Sequence, residues 1–325
     1  MNQFPKIKTI LIGTPSFTEN IFSKFYNALK DKFEIIAVVT AEDKPIGRKQ
    51  ILTPPPIKKW AVENNLPVLQ PEKINAPEWI KKIKELNPDL IILAAYGQII
   101  PKEILDILSP RSQGKYGALN IHPSLLPKYR GASPIQTAIL NGDKETGVTI
   151  ILMDEKTDHG DIVAKLKVKS QKSKVTYKEL SDKLADAGAE LLVKILPDWI
   201  AGKIKPKPQD HSRAIFTKII KKEDGKIDWN KSAEEIERQI RALNPWPGTH
   251  TEIKNSKLKI LEADPSTTLG ASKKIGEVFL RDEELTVQTG NGILIIKQLQ
   301  LEGKKPMPIK DFLNGHPEIV GAILK

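Results

Sequence analysis

Short apolar runs punctuate the first half of the chain: Thr9-Ile10-Leu11-Ile12 ending at Gly13, then Glu34 to Val39, then Leu90 to Ala95. Helix-like stretches such as Pro77 to Leu86 separate them, and this alternation predicts a parallel α/β sheet. Gly117 to Ile121 and Val148 to Met153 add further strands. Thr176-x-x-Glu179 forms a capping box that opens a helix carrying Leu180, Leu184, Leu191 and Ile195, and this helix is expected to close the first domain. From Pro197 to Lys222 the pattern gives way to a Pro- and Lys-rich stretch that reads as a basic linker. Beyond it, Ser232-x-x-Glu235 caps a short helix with Ile236, Ile240 and Leu243 on one face, ending at Asn244-Pro245-Trp246-Pro247-Gly248. Strands then dominate: Thr251 to Glu262, Gly276 to Leu280, Glu284 to Thr289 and Ile293 to Leu301, the last two joined through Gly290-Asn291-Gly292 as a hairpin. The expected organisation is a domain at 1–196, a basic linker at 197–222 and a small β-barrel at 223–325.

A chain of 325 residues, 39% of them hydrophobic, suits two moderate domains with real cores. The longest strongly apolar stretch, Leu90 to Ala95, falls far short of the roughly 20 residues that span a bilayer. Zero cysteines remove disulfides, thiolate catalysis and Cys-based zinc sites together. The start runs into a strand pattern without a signal-peptide core, so a cytoplasmic setting is expected. The charge adds more: 51 bases against 40 acids give +11, which favours a polyanionic partner over a merely solvated basic surface. The excess sits mostly in residues 1–205, with 31 bases and 23 acids. Only seven of the bases are Arg, among them Arg48 in a loop and Arg130 beside a histidine motif.

Several chemistries fall at once. Gly142 and Gly147 have phosphate-loop spacing but are followed by Val148-Thr149, without the lysine that cradles phosphates. The first strand ends at a lone Gly13, so the dinucleotide fingerprint is missing. The five histidines show no paired metal spacing, and no Gly-x-Ser-x-Gly elbow exists, so zinc and serine-hydrolase readings fall. What remains is Asn120-Ile121-His122-Pro123-Ser124, with Thr157-Asp158-His159-Gly160-Asp161 further on. Asn120 and His122 share one side of an extended strand end. At the C-terminal edge of a parallel sheet they enter the crevice where such folds bind ligands. An amide donor for an oxyanion, an imidazole to move a proton and a carboxylate to orient it suit acyl-group transfer. An Asn and a His two residues apart also occur for purely structural reasons.

These residues resemble the formyltransferases that use 10-formyltetrahydrofolate. The signature lies in Asn120 to Pro127, Tyr129-Arg130-Gly131-Ala132-Ser133-Pro134-Ile135-Gln136, Gly147-Val148-Thr149 and Asp158-x-Gly160. The likeness extends to Gly13-Thr14-Pro15-Ser16-Phe17, Ala95-Tyr96-Gly97, Ile227-Asp228-Trp229 and Asn244-Pro245-Trp246-Pro247. It implies a Rossmann-like formyltransferase core followed by a small C-terminal barrel similar to OB-folds. It also implies formyl transfer to methionine on initiator methionyl-tRNA by a monomer that uses no metal. Asn120, His122 and Asp158 match the family's catalytic trio. Ser124, Leu125, Leu126 and Pro127 match its folate-binding segment, and Ala95, Tyr96 and Gly97 are expected to meet the pterin ring. Arg48 and Lys49 lie in a stretch that looks like the family's tRNA-contacting loop, although Glu42 and Asp43 bring acids into it. Lys203, Lys205 and Lys207 of the linker, with Lys304 and Lys305, are further candidate phosphate contacts. Two rivals stand beside this reading: a formyltransferase for a small amine such as an amino-sugar nucleotide, and an RNA-binding module on an inactive core.

Overall fold

The computed structural model describes residues 6–47, 49–109, 114–169, 174–253, 256–267 and 273–325. By packing, the chain divides into two units, neither continuous in sequence: Met1–Pro134 with Glu145–Lys169 and Ser181–Thr217, and Ile135–Lys144 with Ser170–Leu180 and Lys218–Lys325.

The first unit is built on a seven-stranded sheet. Five strands run parallel, in the spatial order Ala118–His122, Leu90–Ala94, Ile7–Gly13, Phe33–Val39, Val68–Leu69. Leu90–Ala94 and Ala118–His122 are buried at every residue, as expected of strands sandwiched between layers. The expected further strand is Glu145–Leu152, and it departs from the purely parallel expectation. It pairs antiparallel with Ala118–His122 on one side and with Ile162–Lys169 on the other. The reason lies in the path of the chain. Thr149 stands opposite His122 and Leu152 opposite Leu119, so the strand starts beyond the C-terminal edge of Ala118–His122 and runs back along it.

Helix Tyr177–Ile200 begins with the capping box read in the sequence: Thr176 N–H donates to Glu179 Oε2 and Glu179 N–H to Thr176 Oγ1. The helix continues through Pro197 to Ile200, past the break expected after residue 196. Residues 201–217, read as linker, pack with the first unit. Ile162 and Lys207 exchange backbone hydrogen bonds, and Phe216–Thr217 pairs in parallel with Arg130–Gly131. Composition suggested a tether because prolines and lysines look like loop; the backbone partners are what give the segment a fixed place.

The second unit contains an antiparallel sheet in the order His250–Ile253, Ser256–Ser266, Ile293–Leu301, Glu284–Gln288, Val278–Arg281, with Met307–Pro308 also paired to Ile293–Leu301. Helix Ala233–Leu243 is opened by the Ser232–Glu235 capping box and contributes Ile236 and Ile240 to a core cluster shared with Leu258, Ile260, Val287 and Leu299. Among the described residues, no helix is long and apolar enough to cross a membrane.

Candidate active site

Asn120 and His122 project from one side of the last parallel strand, near its C-terminal end, and both are buried. Asp158 reaches them from the loop after Leu152. Its backbone adopts φ 49°, in the left-handed region, which costs an L-residue free energy and persists where surroundings over-determine it. Asn120 Nδ2 donates to Asp158 Oδ1 at 3.1 Å, and His122 Nδ1 lies 3.3 Å from the same oxygen. The Gly131 N–H donates to Asp158 Oδ2 at 2.8 Å. His122 Nε2 lies 2.8 Å from the Tyr129 carbonyl. A carbonyl only accepts, so Nε2 carries the hydrogen, and Nδ1 is the ring atom that faces the carboxylate. The amide, imidazole and carboxylate named from the sequence therefore converge.

Hydrogen bonds tie down the neighbouring segment. Ser124 Oγ donates to the Lys128 carbonyl at 2.6 Å, Thr149 Oγ1 donates to the Ser124 carbonyl at 2.7 Å, and Leu126 N–H donates back to Thr149 Oγ1 at 3.1 Å. Lys165 Nζ donates to the Leu126 carbonyl, and burial holds the Lys165 ammonium below its ordinary pKa. Ser124 and Leu126 are buried, whereas Leu125 and Pro127 keep some surface. Just past the end of the neighbouring strand Leu90–Ala94, Ala95 and Gly97 have φ of 47° and 89° and are exposed. Tyr96 between them turns its ring into the core beside Ile100 and Leu108, and burial pushes its phenol up to about 12. At this corner, then, Ala95 and Gly97 are exposed and the tyrosine ring is buried.

Sequence reasoning missed Gln209. Its Nε2 donates to the carbonyls of Asp158 and Gly160 at 2.9 and 2.7 Å. Its Oε1 accepts from Arg130 Nε and Nη2 at 3.2 and 2.7 Å. Arg130 Nη2 also donates to His211 Nδ1 at 2.9 Å, and the His211 ring stacks on His159, with centroids 3.9 Å apart. Arg130 stood out in the sequence as one of seven arginines, beside a histidine motif; the partners it grips are an amide and an imidazole.

The candidate tRNA contacts are more dispersed. Arg48 lies outside the described residues. Lys49 is exposed between the paired strands Lys44–Ile46 and Ile51–Thr53. Asp43 is turned toward Lys58 and Gln70, each 2.8 Å away, and their hydrogen bonds hold its carboxyl below the usual range. Lys203 pairs with Asp198 at 3.3 Å, while Lys205 and Lys207 are exposed in the same segment. Lys304 and Lys305 are exposed in the second unit. Among the described residues, no group of three or more His, Asp or Glu side chains is arranged to hold a metal ion.

Residues 6–196 match the formyl transferase family, and residues 219–317 match the formyl transferase C-terminal domain. The chain is 42% identical over 318 residues to the methionyl-tRNA formyltransferase of Bacillus subtilis (strain 168), covering 98% of this chain and 97% of that one. The methionyl-tRNA formyltransferase of Citrifermentans bemidjiense is 39% identical over 319 residues, covering 98% and 96%. Among solved structures, HypX from Aquifex aeolicus in complex with tetrahydrofolic acid superimposes with a TM-score of 0.62 at 20% identity, over 97% of this chain and 48% of that one. WlaRD, a sugar 3N-formyl transferase, gives 0.61 at 22% identity over 93% of this chain and 100% of that one. At such identities the structural likeness establishes the fold alone.

Proposed function

The chain belongs to the formyl transferase family, and on that premise we propose that it transfers the formyl group of 10-formyltetrahydrofolate to the α-amine of methionine on initiator methionyl-tRNA. The observation that carries this reading is near-full-length similarity to relatives named methionyl-tRNA formyltransferase. The converging Asn120, His122 and Asp158 side chains support the chemistry, and the tetrahydrofolic acid complex of HypX supports a folate-borne donor. In this reading the enzyme works as a cytoplasmic monomer, and its antiparallel C-terminal unit is a barrel of the OB kind.

The α-amine attacks the formyl carbon, a new C–N bond forms, and the carbonyl oxygen becomes an oxyanion in a tetrahedral intermediate. The bond to the folate nitrogen then breaks; the amine has lost a proton and the folate nitrogen gains one. Asn120 stabilises the oxyanion with the amide proton it does not give to Asp158, helped by His122 in its protonated form. Asp158, with His122 or a water, relays the proton from amine to leaving nitrogen. Because the formyl carbon arrives activated, the protein's part is alignment and charge stabilisation. Leu125, Pro127 and the backbone at Ala95 and Gly97 hold the folate in this reading, with Ser124, Leu126 and Tyr96 shaping that surface from beneath. Arg48, Lys49, Lys203, Lys205, Lys207, Lys304 and Lys305 meet tRNA phosphates.

The test supplies the formyl donor together with charged initiator tRNA, an amino-sugar nucleotide or buffer. Formylation of the methionyl-tRNA, with the sugar left unmodified, is expected. Preferential formylation of the amino sugar would replace this reading with the small-amine rival, and no formylation of anything would leave a binding module.

A further inference from the structure

The Asp158 side chain is aimed by Asn120, His122 and Gly131, but the backbone beneath it is held from elsewhere. Gln209, 51 residues along the chain, gives one amide to the carbonyls of both Asp158 and Gly160, bracketing the left-handed turn. Its own carbonyl is gripped by two nitrogens of Arg130. Both side chains are nearly inaccessible, at 4% and 3% exposure, and the amide's donors and acceptor are all engaged. Arg130 is also the residue before Gly131, whose N–H holds the other carboxylate oxygen. One short stretch therefore anchors the carboxylate directly and, through Gln209, the peptide that carries it.

We infer that Gln209 is a positioning residue for formyl transfer. It fixes the Asp158–Gly160 turn and with it the angle at which the carboxylate meets Asn120 and His122. This rests on the reading of Asp158 given above. A misplacement of about 1 Å in a reacting constellation costs on the order of 10²-fold in rate, so removing the tie should appear in turnover and not in binding.

The experiment measures kcat and KM for both substrates in full-length Gln209→Met, Asp158→Ala and the double variant, with thermal unfolding as a folding control. Gln209→Met should lower kcat by about 10- to 100-fold while each KM stays within about twofold. In the Asp158→Ala background it should cost nothing further, because its effect passes through Asp158. Gln209→Glu keeps the size and the acceptor for Arg130 but offers the two carbonyls no donor when ionised. It should fold and lose turnover likewise, and it carries the test if Gln209→Met does not fold. Wild-type kcat in the Gln209 variants, with Asp158→Ala impaired, would overturn the proposal. So would equal losses in both backgrounds, which would mean that the effect does not pass through Asp158, or unfolding of both Gln209 variants, which would make Gln209 a stability residue only. A fully active Asp158→Ala enzyme would instead sink the reading of Asp158 on which the proposal stands.

Discussion

Tyr96 and His250 show how burial acts on a single side chain. Among the described residues, the Tyr96 hydroxyl is one of three buried side-chain polar atoms without a hydrogen-bond partner. An unpaired buried hydroxyl is a cost, so Tyr96→Phe should leave stability unchanged or raise it by up to about 1 kcal/mol. Thermal unfolding checks this, and a clear drop in the midpoint would mean the hydroxyl has a partner. His250 is buried, and burial first, then the nearby Lys257 ammonium, holds its imidazole below the ordinary 6.5. The unfolded chain therefore takes up the proton first as pH falls. Stability is full above 6.5 and is lost on acidification below it, and His250→Gln should make the melting midpoint less steep between pH 7.5 and 5.5. Asn120 and His122 were legible because polar residues alternating with Leu119 and Ile121 on a short strand must share a face. Gln209 was not. A lone amide among prolines and lysines carries no periodic signal, and its partners are backbone carbonyls distant in sequence.

Two tight backbone approaches hold the elements around Asp158. The short parallel pair of Arg130–Gly131 with Phe216–Thr217 leaves Gly131 at φ 101°, where an added Cβ would meet Thr217 Oγ1 at 3.1 Å and its carbonyl at 3.2 Å. Gly131→Ala should move the N–H that holds Asp158 and lower kcat by about tenfold or more, read in steady-state kinetics with folding checked by circular dichroism. At Gly160 a Cβ would sit 1.9 Å from the Leu152 carbonyl. Gly160→Ala should destabilise the chain by about 1–3 kcal/mol, seen as a lower denaturant midpoint with an unchanged slope. The buried strands and both capping boxes could be read from sequence because apolar runs and Ser/Thr-x-x-Glu pairs are local signals. The antiparallel sense of Glu145–Leu152 could not, since the run of apolar residues is the same in either direction. The place of residues 201–217 was hidden as well, because backbone pairing at Lys207 and Phe216 leaves no mark in composition.

For the molecule as a whole, charge and chemistry lead to separate tests. The +11 charge should make kcat/KM for charged tRNA fall with rising salt. Arg48→Ala with Lys49→Ala should raise KM for tRNA and flatten the log–log salt plot by about 0.7–0.9 for each phosphate the loop no longer neutralises, with the folate KM untouched. Superimposable plots would remove that loop from tRNA binding. The most direct test of the central claim, that Asn120, His122 and Asp158 carry formyl transfer to methionyl-tRNA, is a single-turnover measurement at saturating folate donor and charged initiator tRNA. Wild type should form N-formylmethionyl-tRNA, and Asn120→Ala, His122→Ala and Asp158→Ala, each folded, should do so slower by roughly 10² or more. A folded Asp158→Ala enzyme that transfers formyl at the wild-type rate would contradict it.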